Sequence, residues 1–209
     1  KSFPYGEYIA IKNTFYTTIA VLESLAASFE KLNEHEILEK MQQVNSLFAK
    51  TDSGKKIDNN NPYRTKELHT NKFGDIVEFV ECKKIQEAMS NLCKMIKVLL
   101  ENKDNITPEN YIKEVIRIEY RYLRIHPFAK ANGRTARAIV NILLQSKGML
   151  GLFRKENREE YLEWVREAHR IIKENEEKYV IGLTENPMEC VEMENEFLNR
   201  ELPFMLVKN

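Results

Sequence analysis

Cysteine and glycine are both scarce in this chain, with three and seven residues among 209. The cysteines, Cys82, Cys93 and Cys190, lie far apart and form no CxxC pair, which argues against disulfides and against a cysteine zinc cluster. We therefore expect a reducing compartment, either the cytoplasm or a host cell into which the protein is delivered. The scarcity of glycine also makes a glycine in a turn informative, and Gly133 is the one that stands out.

An excess of charge of either sign is also lacking, because 32 basic residues balance 32 acidic ones. The chain therefore has no overall electrostatic drive toward nucleic acid or an anionic membrane. It also lacks an apolar run long enough to span a bilayer, and no signal peptide is recognisable. We expect neither nucleic acid nor a membrane as a partner, whereas the composition leaves homo-oligomerisation open.

Apolar residues recur at helical spacing through most of the chain, which predicts a mainly α fold. The spacing predicts two helices within residues 13–49, and a polar, turn-rich tract, 51–62, follows as a linker. We therefore divide the chain into three parts: an N-terminal helical hairpin extension (1–58), a core (59–182) and a C-terminal helical segment (183–209). The helices predicted within the core cover 83–100, 107–125, 134–147 and 157–173. Thr107-Pro108 marks the start of the second of these helices, and Gly148 marks the end of the third.

Residues 67–81 are the part of the chain with strand character. Phe73-Gly74-Asp75 forms a turn, and the apolar residues after it have strand propensity without helical spacing. The pattern predicts a short β-hairpin or extended flap. An irregular connection is the alternative.

The stretch His126–Arg137, which reads HPFAKANGRTAR, has the highest density of chemical groups in the chain. Gly133 predicts a tight turn into a buried helix, and the unpaired N–H groups and positive dipole at such a start bind phosphate. Arg134 and Arg137, spaced i and i+3, can converge on one polyanion. His126 can reach the same place as a neutral base near pH 7.

Three other residues of this stretch have predicted structural roles. Pro127 disfavours helical geometry at His126, so the preceding helix should end there. Phe128 is predicted to be a core residue that pins the loop. Asn132 favours a left-handed turn conformation. The remaining histidines have no chemical neighbours in the sequence: His35, His69 and His169.

The same stretch resembles the signature of Fic-domain proteins, H-P-F-x-[D/E]-G-N-G-R-x-x-R. The positions that match are His126, Pro127, Phe128, Asn132, Gly133, Arg134 and Arg137. Two positions depart, since Lys130 stands where the family has an acid and Ala131 where it usually has glycine. The resemblance implies a Fic-type helical bundle with a short β-hairpin flap. It also implies transfer of AMP from ATP to a hydroxyl side chain of a target protein.

The resemblance assigns roles to these residues. His126 would deprotonate the incoming hydroxyl, which attacks the α-phosphorus of ATP. The nucleotide phosphates would lie against Lys130, Ala131, Asn132, Gly133, Arg134 and Arg137. In the family the acid at position 130 holds Mg²⁺, so Lys130 would either contact phosphate as a point charge or repel the metal. The flap, residues 70–81, would pair with the backbone of the target protein by strand addition.

Three functions are therefore open. The first is a protein adenylyltransferase with an altered metal site. The second is a transferase of another phosphate-containing group. The third is a catalytically weak module that binds a nucleotide or a partner protein, because the usual metal ligand is replaced.

The C-terminal segment carries a carboxylate on an apolar face. The pattern Asn186-Pro187 predicts a helix start, and Glu194 lies within the inward stripe after it, where a charge requires a cationic partner. Many Fic proteins carry a self-inhibitory helix with [S/T]-x-x-x-E-[G/N], whose glutamate pairs with the second arginine of the signature, here Arg137. The resemblance thus implies an inhibitory role for Glu194. The alternative is an amphipathic helix whose glutamate reaches solvent.

Overall fold

The computed structural model describes residues 23–25, 27–53, 63–70, 77–149, 158–182, 186–189 and 192–205. This part of the chain is mainly α-helical, as predicted. Its helices are α1 (Glu34–Ser53), α2 (Ile85–Glu101), α3 (Pro108–Ile125), α4 (Asn132–Ser146), α5 (Arg158–Lys173) and α6 (Glu192–Met205). Residues 23–25 and 27–29 are also helical, a 3₁₀ turn covers Cys82–Lys84 and a π-helical turn covers Glu177–Ile181. Within these ranges, a membrane-crossing helix of sufficient length and apolarity does not occur.

Helix α3 is the centre of the bundle and is buried along most of its length. It packs against α2, α4, α5 and α6, whereas α1 packs on the outer faces of α2 and α4. Since α3 ends where the HPFAKANGRTAR stretch begins and α4 lies within and beyond it, this stretch connects the two most enclosed helices.

The ends of α3 and α4 follow the predicted local signals. Thr107 caps α3 by accepting a hydrogen bond from the Asn110 N–H at 3.3 Å, and proline occupies the first helical turn. Helix α4 ends before Gly148, which has a φ of 74°. The N–H of Met149 then donates to the Leu144 carbonyl at 2.9 Å, which closes the end of the helix.

The strand-like region contains two very short paired segments. Strand β1 (His69–Thr70) pairs antiparallel with β2 (Val77–Glu78) through two residue pairs. The connection, residues 71–76, lies outside the described residues. The flap over residues 67–81 therefore stays a prediction.

Helix α1 packs directly against the loop that carries the signature. The Asn45 amide donates to the Lys130 carbonyl and to the Thr135 hydroxyl, both at 3.0 Å. The linker predicted over 51–62 lies mostly outside the described residues, and the division at 58/59 stays a prediction. Whatever its boundary, α1 supports the candidate site.

The prediction that the C-terminal helix begins at Asn186-Pro187 is wrong. Asn186 accepts a hydrogen bond from the Met188 N–H at 3.0 Å, so residues 186–189 form a turn instead of the first turn of a helix. Helix α6 begins at Glu192. Glu189, at the end of this turn, forms an ion pair with Lys178 at 2.8 Å.

Candidate active site

His126 lies immediately after α3, in the left-handed region with φ 48° and ψ 57°. Its N–H donates to the Tyr122 carbonyl at 2.9 Å, which closes the last turn of the helix. Pro127 excludes a further helical turn, as the sequence predicted. The half-buried imidazole therefore sits at a bend between two buried helices.

The imidazole of His126 is covered on one side by an aromatic ring. Phe79, just after β2, stacks on it with centroids 4.0 Å apart and planes at 21°. Burial, together with the nearby positive charge of Arg64, lowers the pKa of His126 to about 4. A hydrogen bond with the Leu123 carbonyl opposes this shift. The imidazole is therefore neutral near pH 7, which is the form that a general base requires.

The left-handed residue of the signature turn is Ala131, with φ 64°, and the prediction that Gly133 makes the turn is wrong. Gly133 lies inside the first turn of α4. A Cβ built there would meet the Arg137 Nη1 at 3.6 Å, an ordinary contact. Glycine, which the Fic family usually has at this position, adopts the left-handed conformation without strain, whereas alanine does not.

Asn132 holds the turn together. Its side-chain oxygen accepts from the Phe128 N–H at 3.1 Å, and its amide donates to the Phe128 carbonyl at 2.7 Å. The side chain is only 2% exposed. Asn132 is itself helical, as the first residue of α4, so the left-handed turn predicted for it is wrong, and its contact with phosphate stays a prediction. Phe128 is a core residue, as predicted, and its ring packs 5.8 Å from that of Tyr63.

Lys130 is exposed in the loop, and its carbonyl accepts a hydrogen bond from the Asn45 amide. The donor set does not fit Mg²⁺, because a lysine occupies the position of the metal-binding acid. In the ranges that the structure describes, no group of three His, Cys, Asp or Glu side chains could hold a metal ion. A phosphate bound next to residue 130 would therefore lie against the positive charge of Lys130.

The two signature arginines follow in the first turns of α4. Arg134 is half-buried and Arg137 is exposed. The guanidinium of Arg137 lies 5.5 Å from the ring centroid of Tyr161, which belongs to α5. Ala131 supplies no side-chain cap to the start of α4, so no N-cap side chain competes for an anion there.

A cavity of about 420 Å³ lies beside His126 and reaches the start of α4 at Gly133. Its lining is mainly apolar: Leu68, His69, Phe79, Leu123, His126, Gly133, Tyr161, Leu162, Val165 and His169. The cavity thus brings together three of the four histidines, although His69 and His169 had no chemical neighbours in the sequence. Burial, then the charges of Arg124 and His126, lower the pKa of His169 to about 3.

Arg64 is a buried residue of this site that sequence reasoning missed. It is 5% exposed, and its Nε donates to the His126 carbonyl at 2.9 Å. Its Nη1 contacts Glu67 and Cys82, at the two ends of the flap. Its neighbours in the sequence carry no motif, so only the fold reveals it.

Glu194 does not contact Arg137. It is 2% exposed and its carboxylate lies 3.0 Å from Arg121 and 3.8 Å from Arg117, while the Tyr120 hydroxyl donates to it. Helix α6 packs on α3 and α5, so its glutamate meets the arginines of α3 and not those of α4. The pairing on which the inhibitory role depended is therefore wrong, and so is the solvent-exposed alternative.

Comparison with known proteins identifies the fold. The model of the Fic/DOC family matches residues 31–144, which is more than half of the chain. A Fic domain containing signaling protein from Bacteroides thetaiotaomicron has a similar fold, with a TM-score of 0.64 at 18% identity. That match covers 92% of this chain and 66% of the other, just under two thirds of its length. No curated protein matches the chain.

The matched residues run from α1 to the end of the apolar core of α4 and include every position of the signature. Proteins of this family are typically transferases that move AMP or another phosphate-containing group to proteins. The chain belongs to the Fic/DOC family.

Proposed function

We propose that the protein transfers AMP from ATP to a hydroxyl side chain of a target protein. The proposal rests on one observation: the neutral imidazole of His126 and the start of α4 line the same cavity. His126 and Gly133 both line the cavity of about 420 Å³. A base and a phosphate-binding helix start are the two groups that this reaction needs close together.

The phosphates would bind where α4 begins. The first N–H groups of a helix have no partner within it, and the helix dipole favours negative charge there. Lys130, Arg134 and Arg137 add three positive charges within this stretch. Charge neutralisation and placement supply most of the catalysis in phosphoryl transfer, so these side chains would do what the family assigns partly to a metal.

The reaction follows from this placement. The imidazole of His126 takes the proton of the target hydroxyl, and the oxygen attacks the α-phosphorus of ATP. A new oxygen–phosphorus bond forms while the bond between the α-phosphorus and the bridging oxygen breaks. Pyrophosphate leaves with that electron pair, held by the cations near α4.

The acceptor segment would lie along the flap. Backbone groups at the edge of a short strand such as β2 can pair with an extended segment of a target. Phe79 follows β2 directly and stacks on His126, so a hydroxyl next to a strand paired with residues 70–81 would arrive close to the base.

The position of the ³²P label in ATP distinguishes transfer of AMP from the other two functions. The protein is incubated with α-³²P-ATP or γ-³²P-ATP, and label on protein is measured after electrophoresis. We expect label from the α position only. Label from the γ position only would instead indicate phosphoryl transfer, the second function.

The absence of label from any nucleoside triphosphate, with nucleotide binding retained, would favour a binding module. Two observations favour that third function. Phe79 covers one face of the base, and Lys130 replaces the acid that the family uses.

A further inference from the structure

Arg64 connects the catalytic loop to the flap. Its Nη2 donates to the carbonyls of Val80 and, at 3.4 Å, Ile125, and its Nε donates to the His126 carbonyl at 2.9 Å. Its backbone N–H donates to the Pro127 carbonyl at 2.8 Å. One residue therefore satisfies three consecutive carbonyls around the bend, at 125, 126 and 127.

These carbonyls need partners because α3 ends at this point. The last carbonyls of a helix receive no hydrogen bond from an N–H group of that helix. Leaving such a carbonyl buried without a donor costs free energy. Here the chain turns into the left-handed conformation at His126, so the usual helical bonds stop abruptly. The fork of a guanidinium suits this geometry, because its donors are fixed in one plane.

The same side chain also fixes the flap side of the site. Its Nη1 donates to the Lys66 carbonyl at 3.1 Å and lies 3.0 Å from the Cys82 sulfur. Val80, which Arg64 holds, directly follows Phe79, the residue that stacks on the imidazole. Arg64 thus fixes both the backbone of the base and the segment that carries its stacking ring.

We propose that Arg64 is the positioning residue of this active site, which holds the His126 peptide in its left-handed bend and keeps Phe79 against the imidazole. It touches neither nucleotide nor target hydroxyl and acts through His126. The inference rests on the proposed function for its kinetic consequence, whereas its structural consequence is measurable without any reaction.

The test uses Arg64→Lys, which keeps the positive charge and loses the fork. Arg121→Lys is the matched control, because Arg121 is equally buried and hydrogen-bonded but holds residues 179, 189 and 194. We expect Arg64→Lys to lower kcat by roughly 10- to 100-fold with little change in KM for ATP, since a displaced base slows the chemical step. We expect the control to lower the melting temperature without that loss of kcat.

An NMR titration of the His126 ring gives a readout that general destabilisation would not move. In the wild type the pKa is near 4, below the ordinary 6.5, chiefly through burial. Loosening the Phe79 stack admits water, so we expect the pKa to rise in Arg64→Lys and to stay in place in Arg121→Lys. The ring signals of His126 and His169 are assigned separately, because the pKa of His169, about 3, is close enough for the two titrations to overlap.

An unchanged kcat together with an unchanged His126 titration in Arg64→Lys would overturn the inference. Should that variant not fold, hydrogen exchange of the Arg64 Nε–H in the wild type decides. Slow exchange supports the buried bond to His126, and exchange at the rate of an exposed arginine contradicts it. If no nucleotide is transferred at all, the proposed function fails, and the titration and exchange still test the role of Arg64.

Discussion

The ring of Phe79 lies nearly flat on the imidazole of His126, with centroids 4.0 Å apart. This contact joins the segment after β2 to the residue that ends α3. It removes one face of the base from water, and burial is the main reason for the low pKa of His126. The stack therefore links the flap to the protonation state of the site.

Replacing Phe79 with leucine should raise the pKa of His126 from about 4 toward its ordinary 6.5. The base acts in its neutral form, so the acid side of the pH–rate profile should move upward and activity at pH 5 should fall. The profile of kcat/KM against pH measures this shift. An acid limb at the same pH in both proteins would mean that the stack does not set the pKa.

Replacing Ala131 with glycine should stabilise the protein by about 0.5–1 kcal/mol, because alanine is strained at φ 64° and glycine is not. Urea unfolding of both proteins measures the difference. Ala138→Gly is the control, since it lies within α4 at an ordinary helical φ and should destabilise by about 1 kcal/mol or more. Destabilisation by Ala131→Gly would contradict the assignment of strain.

Replacing Glu194 with glutamine should destabilise the protein by roughly 3–5 kcal/mol, because Arg121 and Arg117 lose their buried counter-charge. Nucleotide affinity should stay unchanged, since the carboxylate lies against α3 and not against Arg137. Thermal unfolding and isothermal titration with ATP measure the two effects. Glu196→Gln, exposed on the same helix, should change stability by less than about 0.5 kcal/mol. A gain in ATP affinity in Glu194→Gln would restore the inhibitory role.

Replacing Lys130 with aspartate should make transfer depend on Mg²⁺, because a carboxylate is a ligand that this metal prefers and lysine is not. We expect turnover to rise with Mg²⁺ in the variant and to change little in the wild type. Lys130→Ala separates loss of the amine from gain of the acid. Turnover in Lys130→Ala should fall at every Mg²⁺ concentration, because the phosphates lose a cation. Turnover equal to that of the wild type would contradict a phosphate contact of the lysine.

Local signals predicted the local parts of this structure. The end of α3 was predicted from Pro127, the end of α4 from Gly148 and the anchor of the loop from Phe128. These features depend on residues that are immediate neighbours along the chain. The spacing of apolar residues likewise predicted the helices, apart from the start of α6.

The partners of buried charges could not be predicted in this way. Arg64 contacts His126, 62 positions away. Glu194 contacts Arg121, 73 positions away, and the apolar stripe of its helix does not specify which helix it packs against. The resemblance to a family motif paired Glu194 with Arg137, whereas the docking of α6 on α3 paired it with Arg121. Ala131 was overlooked because glycine is the usual sign of a left-handed turn.

The most direct measurement of the central claim is the intact mass of the protein after incubation with ATP and a large excess of a candidate target, for wild type and for His126→Ala. The intact masses of both the target and the protein are measured, so self-modification is detected as well. The account predicts a mass increase of one AMP in the wild type and none in His126→Ala, with equal melting temperatures. An equal increase in both proteins would contradict the assignment of His126 as the base.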